Sequence, residues 1–69
     1  MPNSVYKVIE LVGSSPVSWE KAAQNAITVA SKSLRDLRIA EVTKMDMHID
    51  QGEIESFRIK LKVSFKYQD

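Results

Sequence analysis

The sequence contains no cysteine, and in a chain of 69 residues that absence narrows the options. A domain this short buries only about 60% of the surface its unfolded chain exposes. Small scaffolds offset the shortfall with disulfides, a metal or oligomerisation. Without cysteine, disulfides and thiolate metal sites are excluded, and the one histidine would leave zinc dependent on carboxylates, an uncommon donor set. Oligomerisation is the remedy left open. Only two glycines and two prolines are present, and neither a glycine-rich phosphate loop nor a G-x-S-x-G elbow occurs. No apolar run approaches the roughly 18 residues of a membrane span. Residues 1 to 12, MPNSVYKVIELV, lack the features of a signal peptide. A cytoplasmic protein without a membrane partner is the expectation, and the lack of cysteine suits a reducing compartment. The formal net charge of +1 gives no electrostatic ground for a nucleic-acid partner.

What the chain does have is clear periodicity, with no repeat, linker or low-complexity tract, so residues 1–69 read as one domain. Residues 4 to 12, SVYKVIELV, are rich in β-branched and aromatic types and meet breakers at Gly13-Ser14-Ser15-Pro16, which predicts a strand. Both of its faces are largely apolar, as in a strand covered on both sides. A helix of about twenty residues follows, capped either by Ser15 with Pro16 at the first helical position or by Ser18 before Trp19. Trp19, Ala22, Ala23, Ala26, Ala30, Leu34 and Leu37 recur at spacings of three and four and form its buried stripe. The four alanines allow close approach to whatever the helix covers.

From Ile39 the period becomes two. Ile39, Glu41, Thr43, Met45, Met47 and Ile49 alternate with Ala40, Val42, Lys44, Asp46, His48 and Asp50. Asp50-Gln51-Gly52-Glu53 predicts a tight turn. Phe57, Ile59, Leu61, Val63, Phe65 and Tyr67 then form one face of a last strand, with Arg58, Lys60, Lys62, Ser64 and Lys66 on the other. The predicted class is α+β, with a β-α-β-β order and a three-stranded antiparallel sheet packed on one helix. Its open edges and second face invite pairing with another copy.

Three groupings qualify as candidate sites. Asp46, His48 and Asp50 project from one face of the second strand, with Glu53 and Glu55 across the turn. Oxygen donors of this kind suit calcium or magnesium. The spacing is not that of an EF-hand loop, and carboxylates near turns are common for turn chemistry alone. Arg58, Lys60, Lys62 and Lys66 make a cationic stripe that either meets anions or, as a lysine-lined edge, deters promiscuous strand pairing. It carries no interleaved aromatic rings for nucleic acid to stack on. His48 alone is a conceivable general base, but no nucleophile is placed beside it, so the reading is not an enzyme.

The run SVYKVIELVGSSP, then a helix, then Ala40-Glu41-Val42, then a basic-apolar strand ending Val63-Ser64-Phe65, resembles the dodecins over roughly residues 4 to 67. The resemblance implies an antiparallel sheet wrapped partly around the helix and twelve copies assembled as a hollow sphere. Typical dodecins hold flavins in pairs and serve storage or buffering. They stack the isoalloxazine ring on a tryptophan just before the A/F-E-V piece and hydrogen-bond it through a glutamine on the third strand. The matching positions here are Ile39 and Arg58. Isoleucine cannot supply the ~0.5–1.5 kcal/mol of aromatic stacking, and arginine cannot accept a hydrogen bond as glutamine does. Arg38-Ile39-Ala40 and the closing RIKLKVSFK resemble a flavin-free branch, some members of which are calcium-associated. The expectation is therefore a homododecameric storage or sequestration particle with an altered flavin site at Arg38, Ile39, Glu41 and Arg58. Asp36, Glu41, Asp46, His48 and Asp50 are the groups to inspect for calcium. The alternative keeps riboflavin, flavin mononucleotide or another small ligand in the same inter-subunit cavity, with Arg38 and Arg58 replacing ring stacking by cation–π contacts.

Overall fold

The structure, a computed structural model, describes residues 4–66. Its elements are β1 (Tyr6–Ser15), α1 (Trp19–Ala30), β2 (Leu37–Asp50) and β3 (Glu53–Lys66), the order expected from the sequence. Strand β1 does not stop at Gly13 but continues to Ser15. Pro16 ends it, having no N–H to give a ladder. The Ser15 hydroxyl then accepts from the Val17 N–H at 3.0 Å, which turns the chain, and Ser18 caps the helix. Ser18 is extended (φ −167°), and its side chain accepts from the Lys21 N–H at 3.0 Å. Glu20 in the first turn suits the positive end of the helix dipole.

The helix has 12 residues, not about twenty. Ser31-Lys32-Ser33 ends it, because serine hydroxyls compete for backbone partners. The Ser31 hydroxyl donates to the Thr28 carbonyl, and the Ser33 and Leu34 N–H groups both close on the Ala30 carbonyl. Leu34 is therefore half-buried in the connecting loop, and Leu37 already belongs to β2. Asp36 turns the chain with φ 58°, a conformation that aspartate tolerates better than most residues.

The sheet order is β1-β3-β2, with both pairings antiparallel. Gln51 and Gly52 join β2 to β3 with φ of 51° and 78°, the doubly positive geometry of a type I′ hairpin. Strand β3 is thus central, and its basic stripe lies on a sheet face instead of an edge. Its other face is the core: Ile59, Leu61 and Val63 are buried beneath Ala22, with Ile9, Leu11, Trp19, Ala26 and Leu37 packed around them. Tyr67, assigned by its spacing to that same face, falls outside the described residues.

Strand β2 departs from strict alternation. The register slips between Leu37 and Ile39, between Val42 and Lys44, and between His48 and Ile49. Arg38, Thr43 and Glu55 are the extra residues. The bulge at Thr43, whose hydroxyl donates to the Lys60 carbonyl at 3.1 Å, reverses the faces along β2. Ile39 and Glu41 consequently share a face with Lys44 and Asp46, while Ala40 and Val42 share the helix-side face with Met45 and Met47.

Helix α1 packs mainly on β1 and β3, so the hairpin arm of β2 and β3 projects beyond it. The chain measures 54 × 21 × 15 Å with a radius of gyration of 14.3 Å, against about 11 Å for a compact chain of this length. It exposes 5474 Å², where a compact monomer of this mass exposes about 4,400 Å². The outer face of β1 is open in the protomer: Tyr6, Val8 and Val12 are exposed, so the expected second cover does not come from this chain.

Candidate functional site

Ile39 lies directly after the Arg38 bulge, paired with Ser64, and is 68% exposed. Beside it Ile27, Leu37, Arg38, Ala40 and Val63 line a small apolar recess of about 200 Å³. The bulge turns Ile39 to the outer face and leaves Leu37 toward the helix. Glu41 is opposite Lys62, which on its other side is opposite Glu10. Arg58 is elsewhere. It pairs with Asp46, six residues from Ser64 along β3, a separation of about 20 Å at ~3.3 Å per residue. One protomer therefore does not bring Ile39 and Arg58 together.

Arg58 is also already engaged. Its Nε donates to one Asp46 oxygen at 2.9 Å and its Nη2 to the other at 3.2 Å, a two-pronged bond across the strands. The hydrogen bond from Arg58 holds the Asp46 carboxyl below the ordinary carboxylate range; desolvation opposes it, and the charges of Arg58 and Lys44 add smaller pulls downward. Asp46 in turn raises Arg58. The Asp46 carbonyl accepts from the Trp19 Nε1 at 3.1 Å, and the Trp19 ring meets Phe57 edge-on at 5.0 Å. This cluster fastens the helix start to the root of the arm.

Because the folded state holds Asp46 depressed, its contribution is complete above the ordinary aspartate range and is lost as pH falls through the lower folded value. Acidification below about pH 4 is expected to lower the amide protection factors, exchange rates corrected for the intrinsic effect of pH, in the arm around Asp46 and Arg58. Asp46→Asn should exchange faster at pH 6 and show a smaller change on acidification. Equal acid sensitivity in the variant and the parent would contradict this assignment.

The groups inspected for cations are spread out. His48 Nδ1 and Glu55 Oε1 are 2.5 Å apart across the third bulge. Asp46 faces Arg58, Asp50 sits at the turn opposite Glu53, and Glu41 faces Lys62. Asp36 lies in the loop before β2, its carbonyl accepting from the Lys66 N–H. Among the described residues, no three His, Cys, Asp or Glu side chains gather to hold a metal ion. Arg58 and Asp46 fall in separate groupings in the sequence, and spacing alone announces neither cross-strand pair, Asp46–Arg58 or His48–Glu55. No helix of the described residues is long and apolar enough to cross a membrane.

Comparison with known proteins matches residues 5–68 to the dodecin family model. Calcium dodecin of Mycobacterium tuberculosis is 51% identical over 63 residues, 91% of this chain and 89% of that protein. Among solved structures, dodecin from Streptomyces coelicolor superposes with a TM-score of 0.95 at 38% identity, covering 100% of this chain and 99% of that one. The crystal structure of the calcium-chelating calcium dodecin of M. tuberculosis, described as having a novel calcium-binding site, superposes with a TM-score of 0.84 at 52% identity, covering 94% and 93%.

Proposed function

The chain belongs to the dodecin family, and on that premise we propose that it is a homododecameric, non-catalytic storage or sequestration protein that does not hold flavin through the usual tryptophan–glutamine pair. The observation that carries this reading is the state of those two positions: Ile39 offers no ring, and Arg58 spends its guanidinium on Asp46. Self-assembly is supported by the roughly 1,100 Å² by which the protomer's 5474 Å² exceeds that of a compact monomer. A standard interface takes about 800 Å² from each partner.

Calcium is the cargo we propose, since the relative sharing half of this sequence is a calcium dodecin. Calcium takes six to eight oxygen ligands, and a single protomer gathers no such set among its described residues. Glu41, Asp50 and Asp36 have the right donor chemistry, as do Asp46 and His48, which already hold partners across the strands. A site built from them requires carboxylates from more than one copy. Calcium binding followed by calorimetry is therefore expected for the assembled particle and absent from dissociated protomers. Equal binding by both forms would mean that a site exists within one chain.

The flavin reading is tested by titrating riboflavin and flavin mononucleotide against the sized oligomer and following flavin fluorescence. No quenching at micromolar protein is expected. Micromolar binding, about −8 kcal/mol, would overturn the main reading. It would favour the ligand-binding alternative, in which the apolar recess beside Ile39 and Arg38 takes part of the ring system.

A further inference from the structure

Neither the flavin positions nor the carboxylates account for Lys60 and Lys62. Because β3 is the central strand, these lysines do not guard an edge; they stand on the outer face of the sheet, between β1 and β2. Their neighbours are unlike. Lys62 lies between Glu10 on β1 and Glu41 on β2, a carboxylate on either side, whereas Lys60 lies between Val12 on β1 and Lys44 on β2. Like charges directly opposite each other destabilise an antiparallel pair. The bulge at Thr43 creates this pairing. Val42 faces Leu61, so without the extra residue Thr43, and not Lys44, would face Lys60.

The nearby carboxylates do not cancel the excess. Lys60 Nζ approaches Glu10 Oε2 only to 3.9 Å, and Glu10 also lies opposite Lys62. Asp46 is held in the two-pronged bond to Arg58. Among the described residues Lys44 closes no ion pair, and its charge acts on Asp46 from longer range. Lys44, Lys60, Arg58 and Asp46 line a recess of about 240 Å³, with Val12 and Ile59 completing its walls. We propose that this recess binds a phosphate group between the Lys44 and Lys60 ammoniums, with Arg58 donating from the N–H groups that Asp46 leaves over. Arg58 has five such donors, of which Asp46 takes two. Phosphate is the class that fits. Ammonium groups act as point charges and meet a tetrahedral oxyanion from separate directions, whereas the planar fork that favours a carboxylate is already taken up by Asp46. A dianion seated there replaces the Lys44–Lys60 repulsion with attraction to a common ligand. Lys60 is four residues from Ser64, the partner of Ile39, or about 13 Å along β3, so the recess is separate from the Ile39 position. All of its groups belong to one chain, and it depends on neither flavin nor calcium.

Isothermal titration calorimetry of the purified protein tests this, with inorganic phosphate and separately with glycerol 3-phosphate, at an ionic strength held constant with sodium chloride. Saturable binding in the millimolar range or tighter is expected. Lys44→Gln should weaken it about tenfold or more, since a hydrogen bond to a charged group is lost, and Lys44→Arg should retain it. Lys32→Gln removes the same charge from the exposed loop after α1 and should change binding by less than about twofold. Lys44 is exposed on an edge strand, so Lys44→Gln is expected to fold. At low salt without phosphate it should melt no lower than the parent, because a repulsion is removed. Tighter binding of glycerol 3-phosphate would identify a phosphomonoester as the ligand, and tighter binding of inorganic phosphate would identify the free ion. No saturable heat with either probe overturns the site. Equal weakening by Lys44→Gln and Lys32→Gln also overturns it, because general charge attraction would then explain the binding.

Discussion

Leu61→Ala is expected to lower the melting temperature by about 15 °C or more and to leave a large fraction of the chain unfolded at 37 °C. Leu61 is 1% exposed at the middle of the central strand, between Leu11 on β1 and Val42 on β2. Among the described residues, it and Val63 are the largest side chains buried completely. Leucine-to-alanine changes in cores cost about 2–5 kcal/mol, the larger values where the site cannot collapse. Collapse is hard here, since the neighbours belong to three different elements and the covering residue is Ala22, which has no length to spare. A 69-residue domain has only about 3–10 kcal/mol in hand, and each kilocalorie is about 4–8 °C at this size. Thermal unfolding followed by circular dichroism reads the effect. Lys32→Ala, exposed in the loop after α1, is the control and should shift the midpoint by little. Similar shifts for the two variants would mean that the core is not where the burial pattern puts it.

That core was readable in the sequence because β3 alternates without a break: Phe57 to Phe65 take the helix side and Arg58 to Lys66 the outer side, as their spacing required. The hairpin was readable from Gly52, and its register partly so. Counting outward from Asp50 opposite Glu53 places His48 against Glu55, and those two side chains do meet. The same count puts Asp46 against Phe57 and gives no ion pair. Only the insertion of Glu55 as an extra residue brings Arg58 opposite Asp46, and nothing in the run Ile54-Glu55-Ser56 announces a bulge. The Thr43 bulge hid the face of Ile39 for the same reason. Period-two reading carries a side assignment forward faithfully until one residue is inserted, and then inverts every later one. The helix length failed differently. Leu34 and Leu37 continue the apolar spacing, but Ser31 and Ser33 take their hydrogen bonds locally, and the leucines reach the core from a loop and a strand.

The candidate site was legible as chemistry and illegible as geometry. The resemblance to the dodecins is what sets Ile39 where a ring, and Arg58 where an acceptor, would be expected. That they lie on rows about 20 Å apart followed only from the register. Any ligand touching both must therefore span copies. The same reasoning applies to the carboxylates: Glu41 and Asp50 sit at opposite ends of β2, one against Lys62 and one at the turn, so cooperation between them is a property of an assembly. Fold, surface excess and site dispersal all agree with the proposed self-assembly.

Gly13→Ala is the smallest substitution with a comparably large expected effect. A Cβ at this position would lie 2.1 Å from the Ala22 carbonyl oxygen and 3.0 Å from both the Ala22 carbonyl carbon and the Ala26 Cβ. The nearest obstacle is backbone in mid-helix, so no rotamer change can clear it. Relief requires α1 to lift from β1, the element it packs against most extensively, at a cost of about 3 kcal/mol or more. That corresponds to roughly 12–24 °C in melting temperature. Gly13 does not lie in the left-handed region, so the penalty is steric and not conformational. Gly52 is the reverse case: it has φ +78° with nothing within 4 Å of a built Cβ. Gly52→Ala should therefore cost only about 1–2 kcal/mol and leave the helix–sheet contact untouched. The double variant Gly13→Ala/Ala26→Gly removes one of the 3.0 Å contacts and leaves the 2.1 Å one, so it should not recover the parent's stability. A Gly13→Ala protein melting within about 4 °C of the parent would show that strand and helix are not held this closely.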